Sequence, residues 1–261
     1  MSQWEYYLAD PTGNITLLCV SPCGKAEHRR VAKALMQAEP TAEQAGFLSL
    51  GEQGELRLDM SGGEFCGNAA MSAAAYYGRR EEIDRGTVSI SVSGAREPLA
   101  VDFRKTGENR YACAVTMPPV LSVSRESFAF GGREYCFPLV RMPGIVHAIC
   151  EETLSDPEAE ELVRFCCEKL HAEAMGIMML DLEREQIRPL VYVAGIASLF
   201  WENSCASGTA AVGAWLAARE NERIERAFSE PGGTLQVAAA PDGTLILSGS
   251  VVLSGKRAGK A

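Results

Sequence analysis

Short runs of alternating apolar and polar residues fill most of the chain, and helical periodicity appears in only a few places. Alternation over residues 4–8 and 15–20 predicts two strands around the turn Asp10-Pro-Thr-Gly-Asn14, whose residue types suit turn backbones. After Ser21-Pro22 the spacing of Val31 and Leu35 predicts a helix with one apolar face. Further strands are expected at 46–50 and 55–60, then near 87–93, 98–104 and 110–117, the last two joined by Thr106-Gly-Glu-Asn109.

Two stretches depart from this alternation. Gly62–Gly78 reads GGEFCGNAAMSAAAYYG, and Asn203–Ala218 reads NSCASGTAAVGAWLAA. In each, a cysteine in a small-residue turn opens onto an Ala-rich segment. Ala is the best helix former, while Gly, Asn and Ser favour turns and caps. Cys66 and Cys205 are therefore expected at the N-termini of two helices. Free backbone N–H groups and the helix dipole there stabilise a thiolate and can hold an anion. Such placement can lower a cysteine pKa from about 8.5 to roughly 3.5–7.5.

The second half of the chain repeats the first. Ile15-Thr-Leu-Leu-Cys19 has a counterpart in Val146-His-Ala-Ile-Cys150, each beginning two residues after a glycine, Gly13 or Gly144. The helix after Ser21-Pro22 is matched by one after Asp156-Pro157 containing Leu162 and Phe165, and Gly46–Leu50 by Gly176–Leu180. The offset between halves is constant to within a residue until the cysteines, where it grows, so the second half carries a modest insertion before Cys205. Thr234–Ala239, the turn Pro241-Asp-Gly243 and Leu245–Ser248 mirror the closing hairpin of the first half. Two copies of one unit imply two similar α/β domains, expected at 1–120 and 121–261. The Gly131-Gly132 and Gly232-Gly233 pairs read as turns, since no Lys-Ser/Thr follows to make a phosphate loop.

Composition narrows the partners. With 47% hydrophobic and 23% charged residues the 261-residue chain is an ordinary globular sequence. A net charge of −9 argues against nucleic acid or an anionic membrane as the main partner, though a local site can still oppose the global sign. No signal peptide is expected, because the N-terminus lacks a basic region followed by an apolar one. Nine cysteines, an odd count without zinc-finger spacing, predict reduced thiols in a cytoplasm. Cys19, Cys113, Cys136, Cys150, Cys166 and Cys167 lie in apolar runs and are expected in the core, with His28 and His171 on the surface.

A matched pair of thiols suits inversion at a carbon acid: one thiolate removes a proton and the other thiol delivers one to the opposite face. Cysteine fits the role because its pKa can be tuned near working pH. Such a weak acid also requires preorganised donors on its carboxylate.

The order of Gly13-Asn14, Gln44-Ala-Gly-Phe47, Glu64-Phe-Cys66-Gly-Asn68, Gly144-Ile-Val-His147-Ala and Cys205-Ala-Ser-Gly208-Thr resembles the diaminopimelate-epimerase-like superfamily of cofactor-independent amino-acid racemases. The likeness runs over nearly the whole chain. It implies two pseudo-symmetric α/β domains, each a central helix wrapped by β-sheet, with Cys66 and Cys205 catalytic and neither pyridoxal phosphate nor a metal used. By the same resemblance Asn14, Gln44, Gly67 and Asn68 lie at the substrate. The backbone N–H groups of Ala206 and Ser207 meet its carboxylate, and His147 lies near the site; a structural histidine is the plainer alternative there.

The chain also departs from diaminopimelate epimerases. Arg57-Leu-Asp59-Met stands where they carry Asn-x-Asp-Gly, and Ile145 where they carry an asparagine. Their Glu-Arg pair upstream of the second cysteine is missing; this chain reads Phe200-Trp201-Glu202-Asn203 before Cys205. Without that arginine a second zwitterionic head group would be left uncompensated. An aromatic wall with Glu202 as acceptor fits a compact side chain, imidazole first, so the histidine racemases of opine-metallophore pathways are the favoured relatives. Glu202 also reads as a solvated turn residue. Three other readings stay open: diaminopimelate epimerase, a proline-racemase-like or phenazine-isomerase-like enzyme, and a non-catalytic amino-acid-binding or redox-switch protein. A homodimer is compatible with all of them.

Overall fold

The computed structural model describes residues 3–51 and 55–260, apart from the side chain of Ile196. The chain divides into two units, Met1–Thr116 with Ser248–Ala261, and Met117–Leu247.

In the first unit, β1 (Gln3–Pro11) and β2 (Thr16–Cys19) precede α1 (His28–Ala38), β3 (Gln44–Leu50), β4 (Leu56–Met60) and α2 (Gly67–Arg80). β5 (Arg85–Val92), β6 (Leu99–Lys105) and β7 (Arg110–Thr116) follow. The turn before β2 depends on Gly13, whose φ of 89° is natural for glycine and whose N–H donates to Asp10 Oδ1 at 2.6 Å. Val31, Ala32 and Leu35 of α1 pack on Trp4, Tyr6, Leu17 and Phe47.

In the second unit, β8 (Ser122–Phe130), β9 (Arg133–Met142) and β10 (Ile145–Cys150) lead to α3 (Asp156–Lys169). The start of α3 is set by Pro157 and by a capping box between Ser155 and Glu158. β11 (Ala174–Asp181), β12 (Gln186–Val193), β13 (Ser198–Trp201) and α4 (Ala206–Glu220) come next, then β14 (Ile224–Glu230) and β15 (Gly233–Ala239). β13 pairs with β12 and occupies the place of the insertion. Asn221, in the left-handed conformation, stops α4. Leu162, Val163, Cys166 and Cys167 of α3 join Phe137, Leu139, Ile177 and Leu190 in one core.

β16 (Leu245–Leu253) and β17 (Arg257–Lys260) complete the chain. From Ser248 onward these strands belong to the first unit, whereas the sequence reading left everything after residue 120 with the second half. The tail returns because β16 pairs with β1 at Ala9↔Leu253 and β17 pairs with β1 at Gln3↔Lys260. β16 also pairs with β7. The succession β1-β2-β3-β4-β5-β6-β7-β16 thereby closes into an eight-stranded barrel.

α2 packs against six of these barrel strands, which explains its composition. Ala69, Ala70, Ala73, Ala74 and Ala75 are each 0% exposed, so small side chains let the strands approach on every side. A Cβ at Gly78 would lie 2.6 Å from the Phe103 ring. α4 is its counterpart in the second unit, packed against β9, β10, β11, β14 and β15. Among the described residues no helix is long and apolar enough to cross a membrane.

Two surface and core expectations are corrected. His28 is buried, its ring stacked on Phe47 at 4.0 Å between centroids, because α1 lays its N-terminus on β3. Cys136 is exposed on β9, where its Sγ accepts from Arg125 Nε at 3.2 Å; the outward phase of the strand decides its face.

Candidate active site

Both helices begin where the sequence puts them. Cys66 is the N-cap of α2, with extended backbone, and its Sγ accepts the Ala69 N–H at 3.4 Å. The preceding turn is tied down by Ser93, whose hydroxyl accepts from Met60 N and donates to Glu64 O, both at 2.9 Å. Gly67 and Asn68 occupy the first helical turn, where N–H groups have no acceptor within the helix. Cys66 is partly exposed, and its sulfur receives the Ala69 backbone N–H. In the same unit Gln44 Nε2 donates to Asn14 Oδ1 at 2.5 Å and to Thr16 Oγ1 at 2.8 Å, while Asn14 Nδ2 donates to Glu43 Oε2 at 2.9 Å. Asn14 and Gln44 thus form one polar cluster at the starts of β2 and β3.

Cys205 is the N-cap of α4, but its surroundings differ. It is 5% exposed, and its sulfur makes no cap bond. Its thiol lies 3.7 Å from Ser207 Oγ, which lies 3.0 Å from His147 Nε2 on β10. Glu202 in the turn before α4 also bonds to the thiol. The structure therefore gathers four expected residues, His147, Glu202, Cys205 and Ser207, with Ala206 in the first turn of the helix.

The expected lowering of the thiol pKa does not hold at Cys205. Burial pushes it well above its ordinary value, Glu202 pushes it further, Glu230 does so once ionised, and the Ser207 hydroxyl opposes them only in part. Helix-end stabilisation is limited to about 2 kcal/mol even in favourable sites, and desolvation of a thiolate exceeds it here.

His147 is wholly buried, and burial takes its pKa down from 6.5 to about 3, so the ring is neutral. Its Nδ1 has no hydrogen-bond partner among the described residues. A proton on Nε2 donates to Ser207 and leaves the serine hydrogen for the Cys205 sulfur, whereas a proton on Nδ1 would be a buried donor without an acceptor. Space for the ring comes from Gly176, its neighbour on β11, where any Cβ would collide with Nδ1. A Cβ at Gly208 would come within 3.1 Å of Cys205 Sγ.

Glu230 was missed in the sequence, where Glu230-Pro-Gly-Gly reads only as a turn. Its Oε2 accepts Cys205 N–H at 2.7 Å, and its Oε1 contacts Thr209 Oγ1. The available signal was alternation: Ile224, Phe228 and Glu230 share one face of β14, which makes Glu230 an inward carboxyl. The aromatic wall is also revised. Trp201 donates from Nε1 to Glu160 Oε1 at 2.9 Å under Arg188, 3.9 Å from its ring centroid, so α3 and β12 hold it; Phe200, on the other strand face, is 48% exposed.

Among the described residues no group of three or more His, Cys, Asp or Glu could hold a metal ion. The thiols, imidazole and carboxyls around these helix ends are groups that can transfer protons. A half-exposed sulfur that receives an N–H suits a base, and a buried thiol between carboxyls suits an acid.

The fold is shared with solved structures of low sequence identity. A hydroxyproline epimerase from Agrobacterium vitis superposes with a TM-score of 0.71 at 12% identity, covering 99% of this chain and 91% of that one. A PhzF-family phenazine biosynthesis protein of Bacillus anthracis gives 0.71 at 12% identity over 100% of both chains. The family is narrower. The model of the histidine racemase CntK N-terminal domain matches residues 3–255. A histidine racemase of Fusobacterium nucleatum subsp. nucleatum is 33% identical over 242 residues, 89% of this chain and 88% of the relative. The chain belongs to the histidine racemase family.

Proposed function

We infer that this protein is an amino-acid racemase that inverts the α-carbon of histidine without a cofactor. The observation that carries the substrate is the family match across residues 3–255; the observation that supports the chemistry is a cysteine at the N-cap of each Ala-rich helix. Cys66 and Cys205 are the two acid/base groups, one taking the α-proton as thiolate while the other delivers a proton as thiol. In the reverse direction the protonation states exchange. First-turn N–H groups at Gly67, Asn68, Ala206 and Ser207 bind the carboxylate, whose developing enediolate they stabilise.

Asn14, Gln44 and His147 complete the substrate site, and Glu202 accepts an imidazole N–H, a charge-assisted bond of about 1.5–3 kcal/mol. A site built around such a contact rejects analogues that leave its own group unpaired. In the broader classification the chain sits in the diaminopimelate-epimerase-like superfamily, with two pseudo-symmetric domains. Nine cysteines without a disulfide fit a reducing compartment, and we assign the enzyme to the cytoplasm.

The test compares L-histidine with LL-diaminopimelate in deuterated water, following loss of the α-proton signal and the change in optical rotation. Histidine is expected to exchange and racemise while diaminopimelate stays inert. Efficient epimerisation of diaminopimelate with inert histidine would overturn the substrate and leave the two-thiol chemistry standing.

A further inference from the structure

Glu230 ends β14 with 6% of its surface exposed, and three contacts bear on its protonation. Oε2 accepts the Cys205 N–H at 2.7 Å. Oε1 meets Thr209 Oγ1, and that hydroxyl also lies 2.9 Å from the Cys205 carbonyl oxygen. A hydroxyl carries one hydrogen, and a carbonyl oxygen can only accept it. With the threonine hydrogen on Cys205 O, the contact between Thr209 Oγ1 and Glu230 Oε1 needs a hydrogen from the carboxyl group. With an ionised Glu230 the single threonine hydrogen would have to serve both the carboxylate and a Cys205 carbonyl that already accepts the Thr209 N–H. A carboxylic acid supplies the second hydrogen.

We propose that Glu230 is a positioning residue held as a neutral carboxylic acid, so that Cys205 and Glu230 together carry at most one negative charge. The thiol can then ionise only while the Glu230 proton stays in place. This rests on the reading of Cys205 as an acid/base group, but its test does not depend on turnover.

The surroundings agree with the hydrogen count. Among the described residues no cation shifts the Glu230 pKa, and the ionisable neighbour that raises it is Glu202. The groups facing Cys205 are Glu202 from the preceding turn, Ser207 from α4 itself, the Ser207 partner His147 from β10, and Glu230 from β14. His147 is neutral at working pH, so Glu202 and Glu230 are the groups whose ionisation matters. Burial raises the Glu230 pKa from 4.5 to about 8, keeping it protonated at neutral pH. A carboxylate capping α4 would cancel the positive helix end that a Cys205 thiolate needs.

Glu230→Gln reproduces the proposed hydrogen pattern without titrating: its amide oxygen accepts Cys205 N–H and its NH2 donates to Thr209. We would measure the pH dependence of Cys205 alkylation in the full chain, reading the labelled peptide by mass spectrometry. In Glu230→Gln the profile should move to lower pH, with alkylation near about pH 9 faster by about tenfold, as removal of one like charge implies. Infrared difference spectra of the wild type should show a protonated carboxyl band that fades through about pH 8 and is missing in Glu230→Gln. Superimposed alkylation profiles, or a wild type without that band at neutral pH, would reduce Glu230 to a structural cap. If Glu230→Gln does not fold, the wild-type band alone decides. An unshifted profile with an active racemase sinks the Glu230 assignment, and a shifted profile with undiminished turnover in Cys205→Ala sinks only the catalytic reading of Cys205.

Discussion

The caps of α2 and α4 are written in similar residues and work differently. At α2 the cysteine sulfur is itself the cap, taking the Ala69 N–H, and it stays partly exposed. At α4 the sulfur takes no cap bond, and a glutamate from β14 accepts the N–H of the cysteine instead. The α4 arrangement raises the pKa of its sulfur and so retains a thiol. In the proposed two-thiol reaction Cys205 is therefore the acid at rest, and the reverse direction must draw its thiolate against that bias. The comparison teaches that a helix N-terminus sets where a sulfur sits, while neighbours brought by other strands set its charge.

The largest expected effect comes from removing either sulfur. Cys66→Ala and Cys205→Ala should each lower histidine racemisation by about 10³-fold or more, since each loses one acid/base partner. Polarimetry checks this, and substantial two-way turnover in either variant would break the pairing.

The next effect separates the two sites. At neutral pH iodoacetamide should label Cys66 faster than Cys205 by about 10–100-fold, because a raised pKa and burial both suppress thiolate at Cys205. Equal labelling rates, read peptide by peptide, would erase the proposed difference in charge.

Stability against pH sharpens the α4 side further. Glu230 has a folded pKa raised to about 8, so the native state binds more protons than the unfolded chain. Its contribution is fully present below about pH 4.5 and is lost as pH rises towards about 8, on the order of a few kcal/mol in all. His147 has the opposite slope. Its folded pKa of about 3 lies below 6.5, so stability is present above about 6.5 and lost as pH falls towards 3. Thermal melts should therefore show Glu230→Gln gaining on the wild type between about pH 5 and 8, and His147→Asn gaining on it between about pH 6.5 and 4. Parallel curves for both variants would show that these groups do not titrate as described.

The smallest effect concerns Trp201. Trp201→Phe should cost about 0.5–1.5 kcal/mol through its lost bond to Glu160 and leave the KM for histidine unchanged. A large rise in KM would restore the aromatic wall that the structure removes.

Much of this molecule was legible before folding. The repeat, the strand runs around Gly13 and Gly144, and the two cysteine-headed helices depend on propensities and caps encoded within a few residues. The tertiary structure decided the rest. Return of the tail to β1, the stacking of His28 on Phe47, the outward face of Cys136 and the withdrawal of Trp201 towards Glu160 all follow from pairings between distant segments. The charge state at Cys205 belongs with them. Helix geometry, a local property, predicted a thiolate there, but desolvation and the carboxyls of Glu202 and Glu230 act through space, and only the packed strands bring Glu230 to the end of α4.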